Sequence, residues 1–216
     1  MADGEDRERE AEEGERPERI RAFIALDPPA TAAAAIAAWQ RRALRRRDEL
    51  RPIASGSLHI TLAFLGDCGR DGIERAHQAL LHAAASPAPV PVRLAMAPIG
   101  LPRRRPRVVA FAAESPGAVS LHDDLAGELV AAGLLASDAR RFRPHLSVAR
   151  VRGDPKGQVG PRGRRAREVL AGLPALAERS GHTFDAVRVA LYRSQLGSQA
   201  ARYSVLADVD LPHSGG

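Results

Sequence analysis

The chain has 216 residues and a net charge of +6, from 32 basic residues against 26 acidic ones; 41 alanines swell its 44% hydrophobic fraction, leaving a modest bulky apolar set that still suffices for one core at this length. No apolar run approaches the ~20 residues of a membrane-spanning helix, the acidic N-terminus lacks the apolar stretch of a secretory signal, and the single cysteine, Cys68, excludes an internal disulfide or a multi-cysteine metal site. A reducing, cytoplasmic setting and an anionic partner, nucleic acid first, are expected.

Residues 1–18 hold nine acids, three arginines and no bulky apolar side chain after Met1, which predicts a disordered tail of net charge −6. The rest of the chain carries +12, with a folded body expected over 19–211 and a short C-terminal tail over 212–216. Residues 21–26 read as a strand from their apolar run. Asp27-Pro28-Pro29 opens a helix expected to pass through Trp39 and reach about residue 50. Residues 59–65 form the next strand, a helix follows over 71–85, and an alternating strand spans 90–97. Residues 107–112 read as a strand, and Ser115-Pro116 opens a helix carrying Leu121, Leu125 and Leu129. A strand over 145–151, an Arg/Gly/Pro-rich loop over 152–167, a helix over about 165–179, and strands over 184–191 and 203–209 complete the body.

The order strand, helix, strand, helix, strand occurs twice. The spacings agree, with Phe23 36 residues before His59 and Phe111 34 residues before His145. A unit used twice predicts two α/β lobes related by an approximate two-fold axis.

Both units carry one motif on the same strand: His59-Ile60-Thr61-Leu62 in the first and His145-Leu146-Ser147-Val148 in the second. Side chains alternate along a strand, so each histidine shares a face with its hydroxyl while the aliphatic pair turns the other way to pack under helices. If the lobes face each other, two imidazoles and two hydroxyls converge on one cleft. That set suits phosphoryl chemistry. Neutral imidazole takes a proton from water, imidazolium gives one to a leaving oxygen, and hydroxyls donate to the non-bridging oxygens, with no metal required. One H-x-T on a strand is an ordinary surface or core feature; two copies at matching places in a repeat are not. His77, His82 and His122 fall on expected helices and read as ordinary. Trp39, Phe23 and Phe64 are expected in the core, and Cys68 is incidental. Arg150 closes the second motif strand, but strict alternation from His145 puts it on the far face, so it reaches the cleft only if the strand twists. Arg103, Arg104, Arg105 and Arg107 flank a turn and read equally as RNA-backbone contacts or a solvated loop. The 152–167 segment is expected to be a surface loop.

At these residues the chain resembles the two-histidine phosphoesterase superfamily, in particular the RNA 2′,3′-cyclic phosphodiesterases also called 2′-5′ RNA ligases. The likeness covers most of the body and rests on segments 21–26, 58–66, 106–109, 142–150 and 194–196 with Tyr203. It implies an α/β (α+β) fold with two pseudo-two-fold related lobes, each a mostly antiparallel sheet with helices on its outer face, and a cleft between them. It implies metal-independent, cofactor-free hydrolysis of an RNA terminal 2′,3′-cyclic phosphate to a 2′-phosphate, by a monomer without membrane attachment. His59 and His145 would act as general base and general acid, and Thr61, Ser147 and Arg150 would bind the phosphate. Some members also join RNA ends through a 2′-5′ bond. Two departures stand out: Ser147-Val148 where Thr-Leu is common, and Ala110 where the family often has an aromatic residue. Two other readings stay open: a phosphodiesterase of the same superfamily acting on another small cyclic or carrier-linked phosphodiester, and a non-catalytic RNA-end binding module.

Overall fold

The computed structural model describes residues 19–137, 141–152, 166–177, 182–196 and 201–214. The acidic tail expected over 1–18, most of the 152–167 loop and the end of the 212–216 tail lie outside the described residues. The elements in chain order are β1 (Ile20–Asp27), α1 (Ala30–Ala43), β2 (Leu50–Pro52), a 3₁₀ turn (Ser55–Ser57), β3 (Ile60–Cys68), α2 (Arg70–Ala83), β4 (Pro91–Leu101), β5 (Val108–Glu114), α3 (Pro116–Ala131), β6 (His145–Val151), α4 (Ala166–Leu170), β7 (Thr183–Asp185), β8 (Arg188–Leu196) and β9 (Ala201–Asp210).

The strands run in the order β7-β4-β5-β6-β3-β1-β8-β9, with β2 also on β6, and every registered pairing is antiparallel. Two half-sheets meet where β3 pairs with β6 through Ile60 and Leu146. The two motif strands are therefore the inner strands of the two halves. The halves are not the two sequence units. β4, the last strand of the first unit, pairs with β5 and β7 in the second half, while β8 and β9 return to β1 in the first. Each unit lends strands to the other, so neither half closes its own sheet.

This exchange explains why the single strand expected over 184–191 is two. Residues of β7 pair with β4, Ala186 and Val187 bridge, and β8 pairs with β1. The bridge is tied on both sides: Ala186 N–H donates to the Val90 carbonyl (3.0 Å) and Val187 N–H to that of Asp27 (2.9 Å). The first helix also ends earlier than expected, at Ala43, because the chain must turn so that Leu50, 3% exposed, pairs in β2 against β6. The helix expected over 165–179 stops at Leu170. Gly172, at φ +71°, sits in the left-handed region that glycine tolerates, and Pro174 cannot continue a helix. Ser115 caps α3 as its sequence predicts, its Oγ accepting from Ala118 N–H at 3.2 Å.

One face of the sheet carries the main core. Ile24, Leu26, Ile60, Leu62, Leu146 and Val148 pack with Ile36 and Trp39 of α1, Ala76 and Leu80 of α2, and Leu125 and Leu129 of α3. Each valine, leucine or isoleucine of this set contributes about 1.5–3 kcal/mol by leaving water. The opposite face is left open around a small cluster of Phe23, Ala25, Ala190, Tyr192 and Tyr203. Trp39 meets Phe111 edge-on at 5.0 Å and donates its indole N–H to the Pro174 carbonyl at 3.1 Å. So α1, which follows a strand of one half, lies beneath the other.

Candidate active site

With Ile60 and Leu146 buried as the pair that joins the halves, His59, Thr61, His145 and Ser147 turn to the open face, each half-buried. Continuing that register sets His59 across from Ser147 and Thr61 across from His145, which is the arrangement an approximate two-fold through the Ile60–Leu146 pair requires. The imidazoles are held alike. His59 Nδ1 lies 2.8 Å from the Ser57 carbonyl, and His145 Nδ1 lies 3.0 Å from the Arg143 carbonyl, in each case two residues upstream. A carbonyl only accepts, so each Nδ1 carries the proton and each neutral ring keeps Nε2 bare to accept one.

Both motif strands break their alternation at the same place. In β3 the partners of Ala25 and Ile24 are Thr61 and Ala63, so Leu62 is an extra, bulged residue. In β6 the partners of Ala110 and Val109 are Ser147 and Ala149, so Val148 is the extra residue. A bulge shifts the alternation by one. Leu62 and Ala63 are both buried, as are Val148 and Ala149, and the following residue swings to the open face in each strand. In β6 that residue is Arg150, which therefore reaches the cleft without the twist that strict alternation demanded; its Nη2 donates to the Tyr203 hydroxyl at 3.3 Å. In β3 it is Phe64, which is 71% exposed and not a core residue as its apolar setting suggested. The signal was present as an adjacent apolar pair after each hydroxyl, Leu62-Ala63 and Val148-Ala149, where alternation calls for a polar residue second.

His59 sits among rings. Phe23 lies 4.9 Å from it, Tyr203 meets it edge-on at 5.4 Å, and Tyr192 stacks at 6.4 Å. Phe23 is buried as expected, but on the cleft side of the sheet. Burial lowers the basicity of His59 below an ordinary imidazole, reinforced by the positive charge of Arg150 and by His145, and opposed by the Ser57 carbonyl and the Asp27 carboxylate. Asp27 is anchored nearby: it accepts from Arg188 Nε at 2.6 Å and from the Tyr192 hydroxyl at 2.6–2.7 Å. Burial and the Asp27 carboxylate push the Tyr192 phenol upward, and the same carboxylate holds Arg188 charged. Burial likewise raises the Cys68 thiol, which among the described residues makes weak contacts to the Leu65 and Gly66 carbonyls. Arg103, Arg104 and Arg105 are exposed in the turn between β4 and β5, which adjoins the end of β6: Val108 pairs with Arg150, and Val151 N–H donates to the Arg107 carbonyl at 2.8 Å. Among the described residues no three His, Cys, Asp or Glu side chains gather in metal-binding range, and no helix is long and apolar enough to cross a membrane.

The profile of the 2′-5′ RNA ligase superfamily matches residues 28–197, a span that includes both histidine motifs. The chain belongs to this superfamily. Among solved structures, that of LigT from E. coli complexed with 3′-AMP is similar at 22% identity and a TM-score of 0.66, covering 90% of this chain and 99% of that one. LigT complexed with ATP gives a TM-score of 0.65 at the same identity and over 90% and 99% of the two chains. TT0787 of Thermus thermophilus is 27% identical, with a TM-score of 0.66 over 91% of this chain and 100% of that one. No curated protein sequence matches. The superfamily places this chain among phosphoesterases that act on phosphodiesters, and the shared fold is the antiparallel sheet with helices described above.

Proposed function

We propose that this member of the 2′-5′ RNA ligase superfamily hydrolyses the 2′,3′-cyclic phosphate at an RNA end, or on a nucleotide, to a 2′-phosphate, as a cytoplasmic monomer without a metal. The observation that carries this reading is the matched pair of imidazoles, each with Nδ1–H on the carbonyl two residues back, flanking two hydroxyls about the Ile60–Leu146 pair. One Nε2 takes a proton from water as the water oxygen bonds to phosphorus. The phosphorus–O3′ bond breaks, and the other histidine, protonated at Nε2, gives its proton to O3′. Thr61 and Ser147 donate to the non-bridging oxygens, where charge builds in the pentacoordinate transition state. Arg150, steadied by the Tyr203 hydroxyl, supplies positive charge to the same oxygens. Phe64 offers an exposed ring on which a nucleobase stacks, in a chain that has only 4% aromatic residues. That compensates for Ala110, which is buried beside the second motif and cannot stack.

The deciding experiment is product analysis on a short RNA ending in a 2′,3′-cyclic phosphate, with and without EDTA. A 2′-phosphate product, formed at the same rate in EDTA, is expected. Turnover of a small non-nucleotide cyclic phosphodiester but not of RNA would transfer the site to another substrate, and salt-sensitive RNA binding without product would make it a binding module.

A further inference from the structure

The bulged carbonyls of the two motifs are not left to water. In β6 the Val148 carbonyl accepts from Gln40 Nε2 at 2.7 Å and from Ile53 N–H at 3.0 Å. In β3 the Leu62 carbonyl accepts from His122 Nδ1 at 3.0 Å. Gln40 lies on α1 and is 5% exposed, one of two buried polar side chains among the described residues; His122 lies on α3. Each brace comes from the sequence unit that does not own the bulge it holds. Gln40, from the first unit, holds the second motif, and His122, from the second unit, holds the first.

Each brace has a second hold on the segment leading into the other motif. Gln40 Nε2 also donates to the Ile53 carbonyl at 2.8 Å, just before the 3₁₀ turn whose Ser57 carbonyl orients His59. His122 stacks on Phe142 at 4.0 Å and 14°, just before the Arg143 carbonyl that orients His145. One amide thus connects the Arg150 bulge to the approach to His59, and one imidazole connects the Phe64 bulge to the approach to His145. Without Gln40 the Val148 carbonyl keeps only the Ile53 N–H, and without His122 the Leu62 carbonyl loses its side-chain donor; a buried carbonyl short of a donor favours relaxation of its bulge. Relaxation restores plain alternation and turns Arg150 or Phe64 away from the cleft.

We infer that Gln40 and His122 are a crossed pair of positioning residues, each holding the bulge of one motif and the lead-in of the other so that Arg150 and Phe64 face the cleft. Neither touches substrate. The inference rests on the proposed phosphodiesterase reading only for its kinetic test.

Gln40→Met keeps the volume and removes both donors; His122→Phe keeps the ring and removes one. In NMR spectra of the full chain, the carbonyl carbon of Val148 is expected to shift in Gln40→Met alone, and that of Leu62 in His122→Phe alone. Unmoved carbonyls overturn the inference whether or not the protein is a phosphodiesterase. On adenosine 2′,3′-cyclic phosphate, Gln40→Met is expected to lower kcat/KM about 10-fold, but less than about 3-fold in an Arg150→Ala background. It is also expected to move the pH–rate limb of His59 in the direction that Arg150→Ala moves it, whereas His122→Phe couples to Phe64→Ala and leaves that limb in place. Additive losses in both cycles mean general destabilisation and overturn the inference. Failure of the wild type to turn over any cyclic nucleotide sinks the phosphodiesterase reading instead, and the carbonyl shifts then decide the bracing alone.

Discussion

The two histidines begin from the same local frame and end in different surroundings. Both donate Nδ1–H two residues back, both follow a buried residue, Leu58 or Pro144, and both precede a bulge. His59 is then walled by Phe23, Tyr192 and Tyr203, with Asp27 behind them, whereas the aromatic contacts among the described residues include none to His145. The asymmetry comes from strand exchange. β8, beside β1, brings Tyr192 and β9, beside β8, brings Tyr203, whereas among the described residues their counterparts β4 and β7 in the second half bring no ring to His145. A pseudo-symmetric scaffold can therefore hold two chemically alike groups in one geometry and still wall in one of them, His59, whose proton affinity burial lowers.

The strongest way to break this comparison is to remove each imidazole. His59→Ala and His145→Ala are each expected to lower kcat on a nucleoside 2′,3′-cyclic phosphate by about 10³-fold or more, since each proton transfer has no substitute. Thermal melts should separate them. Loss of the ring contacts costs His59→Ala about 2 kcal/mol, while His145→Ala stays within about 0.5 kcal/mol of the wild type. Equal melts would show that the aromatic wall does not hold His59.

Arg150→Ala tests the electrostatic side. Removing a cation that lowers His59 raises the affinity of that ring for its proton, so one limb of the bell-shaped pH–rate profile moves to higher pH. A shift of the acidic limb makes His59 the base, and a shift of the alkaline limb makes it the acid; a profile that does not move removes Arg150 from the cleft. The same lowered affinity has a stability consequence. The folded state binds fewer protons at His59 than the unfolded chain does, so stability falls as pH drops through the ordinary imidazole value of 6.5, and His59→Ala flattens that slope.

Phe64→Ala is expected to raise KM for a nucleotide several-fold, by losing a stacking contact worth about 1–3 kcal/mol, with no fall in melting temperature because the ring is 71% exposed. An unchanged KM would leave the nucleobase unread at this position. The smallest effect is expected from Tyr192→Phe, which removes the hydroxyl donated to Asp27 but leaves Arg188 in place. A loss of about 1 kcal/mol in chemical denaturation, with kcat unchanged, separates the support of the wall from the wall itself.

The features that depend on a few consecutive residues could be read directly from the sequence. The His59-x-Thr61 and His145-x-Ser147 pairs, their position on matching strands, the cap at Ser115 and the apolar faces of the helices all follow from period and spacing, because alternation and capping are properties of a few consecutive residues. Tertiary structure decided what depends on partners far along the chain. Which half a strand joins is set by which edge it can pair with, so β4 and β8 changed sides without any local sign. The bulges at Leu62 and Val148 exist because Gln40 and His122 arrive from distant helices to satisfy the freed carbonyls, and that moved Phe64 out of the core and Arg150 into the cleft. The net charge of +6 predicted an anionic partner; that Arg150 turns to the open face, where such an anion is proposed to bind, was decided by one extra residue in a strand.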